Sequence, residues 1–444
     1  SKQLICTDKF GRIVSTPKGQ KHYRPEEGEI VSEPSAEISI LLGEGLAAEE
    51  DQALKRQCLE RLPDWSYASL VAFCEGLIPR AAGNDAVKTK AIDLLTFLMD
   101  RRMATGDKKR SSVLDILGRS LTALFGASPG MRANGRSLYR HIDWATRHAL
   151  RHPQAGERVC VINAREFPPE GDDCDARLIC AAYEMGWKQF ICYGCKGQRF
   201  TGCGLSKDSD GVRIDVYDSS GDYLASGIDG LEIHVHGNAQ DQVAQIIKRG
   251  KLVIYGDVGQ TFMYGAKGGD VYVMGNAAGR PLINAVGRPR VVINGTCLDY
   301  LAESFMAGDP LNGGGFVVLN GIEVDAEGKV VPQVIPYPGA NLFSLASGGA
   351  IYVRDPHQMV VEEQLNGGEF SPLTPADWDL IRPYLEENER LFGISIESDL
   401  LRVDGHRKAY ASVYRKVRPA QLGGVLGKAS MALEEWGEDW QAVE

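Results

Sequence analysis

The chain has 444 residues, 43% of them hydrophobic and 24% charged, with a formal net charge of −10 at pH 7. Its length suits two or three domains, its acidic balance argues against general nucleic-acid binding, and no run approaches the ~18 uncharged apolar residues of a membrane span. Residues 1–30 lack a signal peptide's apolar core, so a cytoplasmic protein without membrane association is expected, its ten cysteines mostly reduced thiols.

Residues 1–47 read as an irregular or hairpin-like segment punctuated by Gly and Pro. A helical domain is expected over 48–156. Within it Val87, Ala91, Leu94, Leu95 and Leu98 keep helical spacing behind the capping pair Asn84–Asp85, and a second helix is predicted over 112–125. A third is predicted over 137–152, with Arg140, Arg147 and Arg151 on its surface. Residues 157–190 form a strand–helix lead-in: a strand at 159–163, a helix over 174–185, then a strand at 190–193. Residues 361–444 are a C-terminal helix and strand extension. Thr374 and Pro375 open a helix that ends near Gly393, strand-like stretches follow at 394–403 and 410–417, and an acidic tail carries Trp436 and Trp440. Charge is uneven: residues 100–152 carry eleven Lys/Arg and four Asp, whereas 355–404 carry twelve Asp/Glu. These are either solvated helical faces or docking surfaces of opposite sign.

Between these regions an apolar motif recurs every nineteen or twenty residues. Counted back from Gly237, Gly256, Gly275 and Gly295, the residues at two and four before are apolar, as with Ile233 and Val235 or Leu252 and Ile254. Asp218, Gly321 and Asp355 close the same pattern. Such alternation is a short strand with one buried face. Small polar residues follow the marks, Asn238, Asp257, Asn276 and Thr296 among them, and Gly–Asn or Gly–Asp pairs turn the chain cheaply because both tolerate left-handed angles. The expected architecture is α+β: a right-handed parallel β-helix, or β-solenoid, over 191–360, between the helical domain and the C-terminal extension. A meander of hairpins is the competing account, and hairpins rarely keep a constant period.

Candidate chemistry is sparse. Cys192-x-x-Cys195, with Cys203 nearby, has ligand spacing for zinc or an iron–sulfur cluster, against which stands the reading of these thiols as small buried fillers. His234 and His236 share one strand face, outward by the apolar register; two such residues can chelate a metal, but a third ligand is not evident. The chain has no phosphate-loop motif, no Gly-x-Ser-x-Gly and no His-Glu-x-x-His. No catalytic residue and no bound cofactor are therefore expected.

Gly237-Asn-Ala, Gly256-Asp-Val-Gly259, Gly268-Gly269, Gly275-Asn-Ala-Ala-Gly279 and Gly313-Gly314-Gly315 resemble the repeated Gly-x-x-Gly-x-x-x-Gly pattern of the C-terminal domain of the glutamate synthase large subunit. That domain is a β-helix, also found in one of the subunits of formylmethanofuran dehydrogenase. The chain is most similar to the separately encoded, glutamate-synthase-domain-3-like proteins, through Gly197-Gln198-Arg199-Phe200, EEQLNGGEF from Glu362 and DWDLIRPYLEENERLFGI from Asp377. The resemblance covers about residues 157–417, and residues 1–150 resemble no family. It implies an architectural role, with the glutamine amidotransferase centre, FMN and iron–sulfur clusters on partner subunits. The chain starts at Ser1, has its first cysteine at Cys6, and shows no flavin barrel. Three functions remain in play: a non-catalytic scaffold subunit of a flavin and iron–sulfur oxidoreductase, a free-standing regulatory or binding module, and an enzyme using Cys192, Cys195 and Cys203.

Overall fold

The computed structural model describes residues 36–46 and 51–420, together with two short strands near the N-terminus, β1 (Cys6–Thr7) and β2 (Ile13–Val14), which pair antiparallel. The acidic tail from Gly423 lies outside the described residues. The chain divides into two compact units, Ser1–Met99 with Thr105–Leu121, and Asp100–Ala104 with Thr122–Glu444.

The first unit is helical. Its elements are α1 (Ala36–Ile40), α2 (Asp51–Arg61), α3 (Tyr67–Ala81), α4 (Asp85–Asp100, its last residue falling in the second unit) and the start of α5 (Arg110–Gly126). Ser66 caps α3 by accepting from the Ser69 amide at 3.0 Å, and Asn84 accepts from the Val87 amide at 3.1 Å, as the capping pair predicts. Leu70, Phe73 and Leu77 of α3 and Ala91, Leu94, Leu95 and Leu98 of α4 are buried at helical spacing.

The second unit is built on one sheet. In chain order its strands are β3 (Tyr139–Ile142), β4 (Val159–Asn163), β5 (Gln189–Tyr193), β6 (Arg213–Tyr217), β7 (Asp229–His236), β8 (Arg249–Ile254), β9 (Asp270–Val273), β10 (Arg290–Ile293) and β11 (Phe316–Leu319). A hairpin of β12 (Ile322–Val324) and β13 (Val330–Pro332) leads to β14 (Ala350–Arg354) and β15 (Gly368–Ser371). A small hairpin of β16 (Arg402–Val403) and β17 (His406–Arg407) precedes β18 (Tyr414–Pro419). Twelve of these strands form a single sheet in the order β15-β18-β14-β11-β10-β9-β8-β7-β6-β5-β4-β3. Neighbours from β3 to β14 run parallel, and β18 pairs antiparallel with β14 and β15. Among the described residues, the end of α5 and the helices α6 (Asp175–Glu184) and α7 (Pro375–Phe392) complete the unit.

The apolar register is as the repeat predicts. Ile214, Ile233, Leu252, Val271, Val291, Val317 and Ile351 pair in turn across the sheet, as do Val216, Val235, Ile254, Val273, Ile293, Leu319 and Val353. All are fully buried in one continuous core. Burial of the opposite face was not anticipated. Val253, Tyr272, Val292, Val318 and Tyr352 are buried there against Trp378, Ile381 and Leu385 of α7. A parallel sheet covered on both faces is the α/β arrangement.

The class is therefore α/β. The expected α+β chain with a right-handed β-solenoid is overturned by a single, mostly parallel twelve-stranded sheet with helices, and no second parallel sheet closes a coil among the described residues. A constant period fixes which residues stand side by side; it says nothing of what the intervening residues do. Here the connections between β6 and β11 meet at isolated parallel bridges, Ser220–Ala239–Val258–Ala277–Cys297. Beyond those bridges, alternate non-glycine residues take left-handed angles, as at Gln242, Ala244 and Ile246 or Arg280, Leu282 and Asn284. Each costs about 1–2 kcal/mol. Hydrogen bonds to the neighbouring connections offset that cost, such as Gln242 N to Gln260 O at 2.8 Å and Leu282 N to Phe262 O at 2.7 Å.

Two further expectations fail locally. No helix forms over 137–152: residues 139–142 are β3, and 147–149 make one 3-10 turn. Residues 396–400 are a π-helical turn, not strand, because Ser395 caps it by accepting from the Ser398 amide at 3.3 Å. The helix opened by Thr374 and closed by Gly393 is as predicted, with a reciprocal capping box between Thr374 and Asp377.

Candidate functional site

The repeated turns form a side-chain ladder. Asn238 accepts from the Asp257 amide at 2.8 Å, Asp257 from the Asn276 amide at 2.8 Å, and Asn276 from the Thr296 amide at 2.9 Å. The preceding marks Gly237, Gly256, Gly275 and Gly295 are not left-handed, contrary to the expectation for them. They are glycine because of close approach. A Cβ at Gly256 would overlap Oδ1 of Asn238, and one at Gly275 would overlap Oδ1 of Asp257.

Cys192, the residue before the last of β5, lies inside the apolar core with Cys160, and Cys195 packs against that core from the following turn. The Cys203 thiol donates to the Tyr223 carbonyl at 3.2 Å. Burial pushes the Cys192 and Cys195 thiols well above their ordinary range and Cys203 up to about 12. Among the described residues no group of three His, Cys, Asp or Glu is placed to hold a metal ion, these three cysteines included. Asp175, in the first turn of α6, is fully buried, and burial raises its pKa to about 7 against the weaker pull of the Ala176 amide and its own.

His234 and His236 do point away from the apolar ladder, but they are buried, at 4% and 7% exposure. His236 offers Nδ1 to Asp100 at 2.9 Å and Nε2 to Asp215 at 3.2 Å, and its ring stacks between Tyr217 and Tyr255. Burial disfavours its charge, but the two carboxylates outweigh burial and raise its pKa to about 9. Asp215 also takes a bidentate pair from Arg213, at 2.8 and 2.9 Å; despite burial, His236 and Arg213 hold its pKa well below the usual range. His234 donates Nε2–H to Glu232 at 2.5 Å, and burial lowers its pKa against the pull of that carboxylate. The hydrogen bond from His234 in turn lowers Glu232 to about 2. With both nitrogens of His236 committed to carboxylates, this ring offers no free base.

Sequence reasoning missed Asp100, Asp215, Arg213, Glu232 and Tyr255. A signal existed in the register, since Asp215 and His234 stand beside each other on a face where later strands carry Val253, Tyr272 and Val292.

The three arginines do not share one exposed helical face. Arg140 is buried, donating Nε to Glu157 at 2.5 Å and Nη2 to the Gly135 carbonyl at 2.6 Å. Arg151 grips Glu157 at 2.6 and 2.9 Å, and Arg147 stacks on Trp144 at 3.6 Å. The Arg151 hydrogen bond leads the interactions that hold Glu157 down at about 2.

No helix among the described residues is long and apolar enough to cross a membrane. No curated protein matches the chain. The GXGXG motif family model matches residues 192–419, from the end of β5 to the end of β18, which is the stretch that holds the glycine ladder and α7. The chain belongs to the GXGXG motif family, that of the C-terminal domain of the glutamate synthase large subunit.

Proposed function

We propose that this chain is a non-catalytic scaffold subunit of a glutamate-synthase-like, multi-subunit oxidoreductase, whose glutamine amidotransferase, FMN and iron–sulfur centres sit on partner subunits in the cytoplasm. The observation that carries this reading is the family match over residues 192–419, since the resemblance to the glutamate synthase large-subunit domain implies an architectural role. The chemistry of the chain is compatible with it. Cys192, Cys195 and Cys203 stay protonated, and His236 has no free nitrogen.

Purification of the native protein under gentle conditions tests the reading, with identification of co-purifying chains and their flavin and iron content. Flavin- and iron-bearing partners are expected. A native chain that runs alone supports the free-standing regulatory or binding module instead, and stoichiometric metal on the isolated chain supports the enzyme.

A further inference from the structure

A pocket of about 400 Å³ opens in the second unit where four stretches of chain meet. Met274, just past β9, and Val324 and Val330 of the β12–β13 hairpin supply apolar lining, joined by Phe392 and Ile394 around the end of α7. Met274, Phe392 and Ile394 are buried at 8% exposure or less, so this side of the pocket is fixed by the core. Its polar lining is cationic. Arg102, Lys329 and Arg402 line it against a single carboxylate, Asp399, which already accepts from the Ser395 amide at 2.7 Å. No carboxylate among the described residues lies within ion-pairing distance of Arg102, Lys329 or Arg402.

Two glycines let the chain close around this space. A Cβ at Gly393, the left-handed cap of α7, would overlap the Arg101 guanidinium, and a Cβ at Gly328 would press on the Ala104 amide. Arg101 therefore packs against the carbonyl end of α7, where a cation is favoured, and the next residue, Arg102, is left to line the pocket. Cations without carboxylate partners beside an apolar wall suit an organic anion that brings both charge and apolar surface.

We infer that this pocket binds a small amphiphilic anion, an aryl or similarly apolar body bearing one phosphate or carboxylate, with Arg102 and Lys329 holding the anionic group and Met274, Val330 and Phe392 holding the body. The inference is independent of the scaffold role proposed above.

The test uses the full chain and three defined probes: phenyl phosphate, benzoate and inorganic phosphate, each followed by titration calorimetry. Saturable binding of phenyl phosphate or benzoate is expected, with inorganic phosphate at least tenfold weaker; which aryl probe wins assigns the anionic group. Arg102→Gln and, separately, Lys329→Glu on the exposed hairpin should each weaken binding at least tenfold while the melting temperature stays at the parent value. Failure of both aryl probes to bind the parent chain would overturn the inference. So would equal binding of inorganic phosphate, which removes the apolar wall from the account, or unchanged affinity in folded variants.

Discussion

Nδ1 of His236 lies 2.9 Å from Oδ2 of Asp100, a residue 136 positions earlier in the chain. Asp215, two strand positions from Tyr217 on the neighbouring strand, takes the other ring nitrogen at 3.2 Å. An imidazolium between two carboxylates ties the 100–104 segment to the face of the sheet opposite the apolar ladder. It is a charge-assisted clasp and a pH-dependent one.

The sign of that dependence follows from the raised pKa. His236 moves from 6.5 to about 9, so its stabilisation is complete below 6.5 and is lost as pH rises through 9. The shift corresponds to at most about 3 kcal/mol, reduced by the burial that raises the pKa of Asp100. Urea unfolding at pH 6 and pH 9.5 should show this fall in the parent, and His236→Asn should flatten it. An equal fall in both proteins would remove His236 as the cause.

Ile254 stands in the second apolar ladder, between Val235 and Val273, and is fully buried. Ile254→Asp places an unpaired carboxylate there, a loss of more than about 3 kcal/mol. A variant that melts like the parent would show that the register is wrong.

Arg140 supplies half of a buried charge pair, and its loss leaves Glu157 with Arg151 and the Gln154 amide, which donates to it at 2.8 Å. Arg140→Gln should cost about 3 kcal/mol or more. Because Glu157 is lowered from 4.5 to about 2, the contribution of the pair is present above 4.5 and disappears as pH falls toward 2. The difference between parent and variant should therefore shrink on acidification; a constant difference would argue against the ion pair.

A buried amide network links α7 and the strand β18 to the turns that follow β10 and β11. Asn294 donates to Asn388 at 2.8 Å, Asn320 donates to Asn294 at 2.9 Å, and the Tyr414 hydroxyl donates to Asn320 at 2.8 Å. Tyr414→Phe removes one donor and should destabilise the chain by about 1–3 kcal/mol, read from chemical denaturation. Asn388→Leu removes two hydrogen bonds, one to each Asn294 group, leaving the Val273 carbonyl and Asn320 as their partners, and should cost more. The reverse ranking would mean that Asn294 is satisfied without α7.

The thiols supply the last prediction. With Cys192 and Cys195 raised well above the ordinary range by burial, thiol reagents at pH 7.5 should modify them only as fast as the chain unfolds. Serine at Cys192, Cys195 and Cys203 should leave the absorbance spectrum of the isolated chain unchanged. Loss of stoichiometric iron or zinc in that variant would make them ligands.

Local chemistry was legible in the sequence. The two apolar ladders follow from a side-chain period of two, and the ends of α7 from Thr374, Pro375 and Gly393, because these depend on residues a few positions apart. What depends on distant pairing was not legible. The period points to closure into a solenoid, yet it is equally met by one parallel sheet whose second face is covered by α7, a helix that comes later in the chain than the parallel strands it covers. Arginines 140 and 151 fall at spacings that suit a solvated helix, and only the fold brings Glu157 between them. His236 had one visible face and no visible partner, since Asp100 reaches it through space. Burial and charge pairing are decided by which segments exclude water from one another, and that is a property of the tertiary structure alone.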